Sequence, residues 1–168
     1  MTAESIDEPV PQSGDVEIGS GDPDGDAYHA RPHTSVPAYV HALDVRPGDI
    51  DFMGHVNNAV YLTWVQDAVI AHWRGHADPD AVAAHVWIAL KHEITYRRPA
   101  FLHDRVRAVV RLEQVRRESA FYDTVIKRDG DVLAQVKSRW CCLDARTLRP
   151  ARVGSDIIRR FLPERSGT

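Results

Sequence analysis

Cysteine is scarce. The chain has two, Cys141 and Cys142, adjacent in an alternating segment where neighbouring side chains point to opposite faces. A disulfide framework and a C-x-x-C clamp are excluded, and a reducing, cytoplasmic location is the expectation. No apolar run approaches the ~20 residues that a membrane span needs. The charge-free stretches 55–66 and 68–73 are separated by Asp67. No basic segment leads into an apolar one near the amino terminus, so no secretory signal is expected. Lys and Arg form no dense run, which sets nucleic acid aside as a partner. Also missing are G-x-S-x-G, the phosphate loop G-x-x-x-x-G-K and the dinucleotide G-x-G-x-x-G. Ser–His–Asp hydrolases, NTPases and Rossmann enzymes lose support with them.

What is present is an ordinary globular composition. The 168 residues, 43% hydrophobic and 27% charged, suffice for one domain with a real core. The net charge of −3 conceals an asymmetry. Residues 1–33 hold eight acids (Glu4, Asp7, Glu8, Asp15, Glu17, Asp22, Asp24, Asp26) against Arg31, which leaves 16 acids and 20 bases beyond. Prolines and glycines punctuate that acidic stretch, and few large apolar side chains offset the entropy of ordering it. Residues 1–34 are therefore expected to be a disordered acidic tail and 35–168 the folded domain. A mildly basic body suits an anionic ligand.

Within the body, residues 39–46 alternate as a strand. Turn formers Pro47, Gly48 and Gly54 follow, and then a helix over about 57–74, with Asn57 or Asn58 able to cap it. Tyr61, Trp64, Val65, Ala68, Val69 and His72 recur at spacings of three and four, while Leu62, Ile70 and Trp73 widen the apolar surface. Such a helix is expected to be buried on several sides. After a polar connection over 77–84, the period changes to two. Val86, Ile88, Leu90, His92, Ile94 and Tyr96 predict one face of a long strand, and runs at 106–112, 121–128 and 132–143 predict three more. Asp129-Gly130 marks a hairpin. A short helix over 154–162 closes the chain. Short connections suit an antiparallel meander, and the economical packing is an α+β domain with one sheet around one apolar helix. The outer face, with Trp87 and Trp140, is expected to meet a second subunit.

The chemistry concentrates at 46–61. Asp49 and Asp51 lie in a loop entering the helix, followed by Gly54, His55, Asn57 and Asn58. A helix start offers unpartnered N–H groups and partial positive charge, suited to an oxygen that turns negative in acyl transfer. A neighbouring carboxylate can attack a carbonyl or activate water. On the residues alone, the two acids read equally as turn or capping groups. An EF-hand loop fails because Met53 and Val60 stand where oxygen ligands belong, and no second histidine sits four residues from His55 to suggest zinc. No metal is expected.

The segment Val45-Arg46-Pro47-Gly48-Asp49-Ile50-Asp51-Phe52-Met53-Gly54-His55-Val56-Asn57-Asn58, with Tyr61 and Trp64, resembles the hotdog-fold acyl-CoA thioesterases of the 4-hydroxybenzoyl-CoA thioesterase type. Their pattern is D-x-D-x-x-G-H-V-N-N-x-x-Y after a strand. Tyr96-Arg97-Arg98-Pro99-Ala100, with Asp104 beyond, resembles their Tyr-x-x-Pro-Ala strand end. The resemblance covers about 38–162. It implies an antiparallel sheet wrapped around a long central helix, a homodimer or homotetramer, and hydrolysis of coenzyme A or acyl-carrier-protein thioesters. Asp51 takes the position of the nucleophile or general base. His55 and Asn57 become its polar partners, and amides near Asn57 and Asn58 polarise the carbonyl. Asn58, Tyr61, Arg116 and Arg117 are the substrate-binding candidates, the arginines for the nucleotide phosphates, with Arg97 and Arg98 as further ones. No cofactor is implied beyond the coenzyme A of the substrate. Two alternatives stay open: a non-catalytic acyl-CoA-binding module, and a hotdog hydratase. The hydratase fits poorly, because its Asp–His spacing of five is here four or six.

Overall fold

The computed structural model describes residues 38–162, so the acidic tail expected over 1–34 lies outside the described residues. In chain order the elements are β1 (Tyr39–Leu43), a 3-10 turn (Pro47–Asp49), α1 (Asn58–His76), α2 (Pro79–Ala84), β2 (His85–Tyr96), β3 (Val106–Arg116), β4 (Ser119–Arg128), β5 (Asp131–Asp144) and α3 (Ser155–Phe161). The five strands form one antiparallel sheet in the order β1-β3-β4-β5-β2.

The expected meander holds only for β3, β4 and β5. The strand β1 takes the free edge of β3, and β2 pairs with β5 at the far edge. The connection over 97–105 therefore crosses the end of the sheet rather than turning a hairpin. That crossing carries Ala100 beneath the start of α1.

Tyr61, Trp64, Val65, Ala68, Val69, His72 and Trp73 of α1 are buried, at the three-four spacing of a single stripe. Leu62 and Ile70 are only half-buried, so within one chain the helix is covered on one side, not on several. Facing the stripe are Val110, Leu112, Tyr122, Ile126, Val136 and Trp140 from the sheet.

Two readings of the strands need correction. Leu90 is bulged against β5, between the pairs Ala89–Trp140 and Lys91–Arg139, and an extra residue reverses the alternation. Val86 and Ile88 thus turn outward, whereas Ile94 packs on the core and Tyr96 meets Tyr61 at 5.3 Å. Trp87 and Trp140 face inward rather than forming an outer surface. Trp87 lies 5.4 Å from Trp73, and the buried Trp140 donates its indole N–H to Ser138 Oγ at 2.9 Å. The connection over 77–84 contains α2, started by Asp78, whose Oδ1 accepts the Ala81 N–H, with Pro79 in the first turn.

His72 is the polar exception in the buried stripe. Its ring meets those of His76 at 4.6 Å, Phe161 at 5.2 Å, Tyr39 at 5.4 Å and Tyr122 at 5.7 Å. Burial first, then the nearby His76, pulls its pKa down to about 4. Below the usual histidine value of about 6.5, the unfolded chain takes up a proton that the folded one refuses, so stability falls as pH falls. Burial of His92 acts in the same direction. Urea unfolding is expected to show about 2–3 kcal/mol less stability near pH 4.5 than near pH 7.5. His72→Leu should flatten that slope; an unchanged slope would remove His72 as its source.

Candidate active site

The loop before α1 is shaped by short backbone bonds. Asp49 Oδ2 accepts the Arg46 N–H at 2.8 Å, closing the turn that Pro47 begins. The chain then doubles back. Ile50 and Val56 form an antiparallel bridge, the Asp51 N–H donates to His55 O at 2.9 Å, and the Asn57 N–H donates to Asp49 O at 2.8 Å. Gly54, at φ +81, makes the reversal in a conformation that side chains rarely adopt, and its N–H donates to Asp51 O at 3.0 Å. Ile50 and Val56 pack into the core, which by strand alternation leaves Asp51 and His55 on the opposite side of this small ribbon.

The crossing segment clamps the ribbon. Ala100 O accepts the Val56 N–H at 2.8 Å, and the Ala100 N–H donates to the Tyr61 hydroxyl oxygen at 3.0 Å. Tyr61 is 1% exposed, so the structure puts it in the core and not on a surface a substrate reaches. Burial also raises the pKa of its hydroxyl. Trp64 and Val65 are core residues too.

The Asp51 side chain is 14% exposed, neither out in solvent nor sealed away. Its Oδ1 accepts the Met53 N–H at 2.9 Å, and its Oδ2 lies 3.7 Å from His55 Nδ1. That imidazole nitrogen is also 3.2 Å from Val56 O. The backbone therefore orients one carboxylate oxygen, and the other faces the histidine. Phe52, 97% exposed, and Met53 flank the acid on the surface.

At the start of α1 the donors can be counted. Asn57 is the N-cap, and its Oδ1 accepts the Ala59 N–H at 2.9 Å. The Val60 N–H donates to Asn57 O, while those of Val56 and Asn57 go to Ala100 O and Asp49 O. Among the described residues the Asn58 N–H has no acceptor. An exposed, uncommitted amide at the positive end of a 19-residue helix is a donor for a developing oxyanion.

Asp51 and His55 are thus brought together, and the loop that holds them leads into the helix start at Asn57 and Asn58. Arg116 and Arg117 lie elsewhere, for they turn the β3–β4 hairpin at the opposite end of the sheet, roughly 33 Å along ten residues of strand from the Val106 end. Among the arginines at the Asp51 end, Arg98 pairs with Asp131 at 3.0 Å and Arg128 with Asp104 at 2.6 Å. Arg97 is exposed with no acidic partner among the described residues. A small apolar cavity of about 10 Å³ lies under α3, lined by Trp73, Trp87, Leu112, Tyr122, Ile158 and Phe161 among others. It sits at the carboxyl end of α1, away from Asp51. Among the described residues no three His, Cys, Asp or Glu side chains are grouped to hold a metal.

Sequence reasoning noticed Tyr96 and Ala100 only as a pattern and gave them no role. The Tyr96 hydroxyl donates to Asn58 O at 2.8 Å, across 38 positions, and no local signal announces a contact of that span.

The profile of the Thioesterase-like superfamily matches residues 45–161. The long-chain acyl-CoA thioesterase FadM of Escherichia coli (strain K12) is 31% identical over 122 residues, covering 68% of this chain and 90% of that protein. The crystal structure of a thioesterase from Thermus thermophilus, complexed with coenzyme A and Zn, is 28% identical with a TM-score of 0.63, over 73% of this chain and 90% of that one. YbaW, a probable thioesterase from Escherichia coli, is 26% identical with a TM-score of 0.59, over 72% and 94%. The sheet, the helix it packs on and these likenesses together establish the hotdog fold.

Proposed function

We propose, for a chain that belongs to the thioesterase-like superfamily and is an acyl-CoA thioesterase of the hotdog fold, that hydrolysis is carried out by Asp51 beside the first turn of α1. The observation that carries this reading is one junction, in which the loop holding a backbone-oriented carboxylate runs into a helix start with an uncommitted amide. The Asn58 N–H donates to the thioester carbonyl oxygen, and Asn57 and His55 border the reacting group. Asp51 either attacks the carbonyl carbon or takes a proton from the attacking water. If Asp51 attacks, the carbon–sulfur bond breaks to leave an acyl–Asp51 anhydride, which water then hydrolyses to free acid and the restored carboxylate; if Asp51 takes the proton, the water oxygen bonds the carbon as the carbon–sulfur bond breaks. On both routes the departing thiolate takes up a proton and leaves as thiol. An activated thioester needs a base and aligned donors, which this chain's own residues supply.

Coenzyme A phosphates suit the basic body. Arg97 offers a guanidinium from the Asp51 end of the same chain. Arg116 and Arg117 serve Asp51 only from a second copy. Support for that copy comes from β2, an edge strand with unpaired backbone groups and the outward apolar side chains Val86 and Ile88. A homodimer or homotetramer covers this surface. In it Arg117→Glu is expected to raise KM for acyl-CoA by about tenfold, the scale of one charge-assisted hydrogen bond, with kcat retained. An unchanged KM would leave the phosphates to Arg97. Acyl-carrier-protein thioesters are a second substrate class, and the two reduced cysteines fit a cytoplasmic setting.

The test is a panel of acyl-CoA and acyl-carrier-protein thioesters, read by thiol release. Release supports the hydrolase. Hydration of an enoyl substrate without release makes it a hydratase, and tight binding with neither makes it a binding module.

A further inference from the structure

The carbonyl that Tyr96 engages belongs to the peptide between Asn58 and Ala59. The N–H of that same peptide donates to Asn57 Oδ1. A continuous path therefore runs from the Tyr96 hydroxyl, through one peptide group, to the side-chain amide of Asn57. Each donor along it is polarised by the bond before it, since hydrogen bonds in a chain strengthen one another. The path also fixes a direction. Only an oxygen can accept the Ala59 N–H, so the Asn57 amide must turn Oδ1 toward the helix and Nδ2 away from it. Asn57 is exposed, and its Nδ2 is open to a ligand.

We infer that Tyr96 is a positioning residue that acts through the 58–59 peptide on Asn57, so that Asn57 offers its Nδ2–H₂ to the thioester as a second donor beside the Asn58 N–H. This rests on the hydrolase reading for its catalytic consequence, but not for the relay itself. The Tyr96 ring is held edge-on to Tyr61, with centroids 5.3 Å apart, and Tyr61 is tied to Ala100, so the hydroxyl is delivered from a braced scaffold. The role also separates capping from donation. Asp caps a helix as well as Asn does but has no N–H₂. An Asn57→Asp protein keeps the helix start and loses the donor.

The experiment pairs kinetics with NMR of the full chain. Asn57→Asp is expected to retain the wild-type Tm within a few degrees and to lose about 10²-fold in kcat, the scale of one oxyanion donor. Tyr96→Phe keeps the ring and should lower kcat by about 5–10-fold, less than loss of the donor itself, with KM within twofold. Combining the two should cost no more than Asn57→Asp alone, because the path ends at Asn57. In the free protein, Tyr96→Phe should shift the Ala59 N–H and the Asn57 side-chain N–H₂ resonances upfield. Additive losses, or unmoved resonances, overturn the relay. A wild-type protein that releases no thiol sinks the hydrolase reading instead, and the NMR comparison still decides the relay.

Discussion

Asp51→Asn is expected to leave a folded protein whose thioester turnover has fallen by about 10²–10⁴-fold, the range lost with a positioned acid–base group. Folding should survive because the orienting bond does not depend on charge. An asparagine Oδ1 accepts the Met53 N–H as the aspartate oxygen does, and the Gly54 reversal and the Ile50–Val56 bridge involve the backbone alone. What disappears is the second oxygen, the one facing His55, which becomes an amide nitrogen without basicity. The measurement is kcat for acyl-CoA hydrolysis alongside a thermal melt and a circular dichroism spectrum. Turnover equal to wild type, with the fold intact, would move the chemistry away from residue 51. Asp49→Asn is the contrasting variant. Its carboxylate is committed to the Arg46 N–H in closing the preceding turn, and an asparagine there still accepts that bond, so a much smaller change is expected.

The loop chemistry was readable in the sequence because it is local. Asp51, Gly54, His55 and Asn57 lie within seven residues, and both the turn geometry and the cap follow from residue types at fixed offsets. The helix was readable for a related reason, since a three-four period in large apolar residues has one economical solution. The expectation of burial on several sides fails within one chain, because periodicity reports how apolar a surface is and not what lies against it. Leu62 and Ile70 remain half-buried in a single chain. Pairing order was out of reach for the same kind of reason. Alternation marks β2 as a strand but carries no address for β5, and the bulge at Leu90 reversed the faces beyond it without leaving a glycine or proline as a sign. The missed α2 was an error of a different sort. Asp78-Pro79 is a legitimate helix start, cap followed by proline in the first turn, within a segment whose composition alone predicts a polar connection. The contribution of Tyr96 needed tertiary structure, because its partner is brought to it only by the crossing segment and the packing of α1.

Trp73→Ala is expected to be the most destabilising single change away from the loop. Trp73 is buried, stacked on Phe161 with centroids 5.4 Å apart and 9° between planes, and set edge-on to Trp87 at 5.4 Å. Truncation removes an aromatic from both contacts and enlarges a cavity that already exists, at a cost of about 3–5 kcal/mol. That is a large share of the roughly 5–15 kcal/mol that holds a typical domain together, so chemical unfolding should shift far toward low denaturant. The same variant separates the two ends of α1. Trp73 stands fifteen residues beyond Asn58, roughly 22 Å along the helix, and the cavity beside it touches none of Asp51, His55 or Asn57. Assayed at low temperature, where the variant is folded, kcat for a short-chain thioester should therefore stay within a few-fold of wild type. A loss confined to long acyl chains would instead mean that the apolar space under α3 receives the end of the acyl group, and Phe161→Ala should then widen the range of lengths accepted.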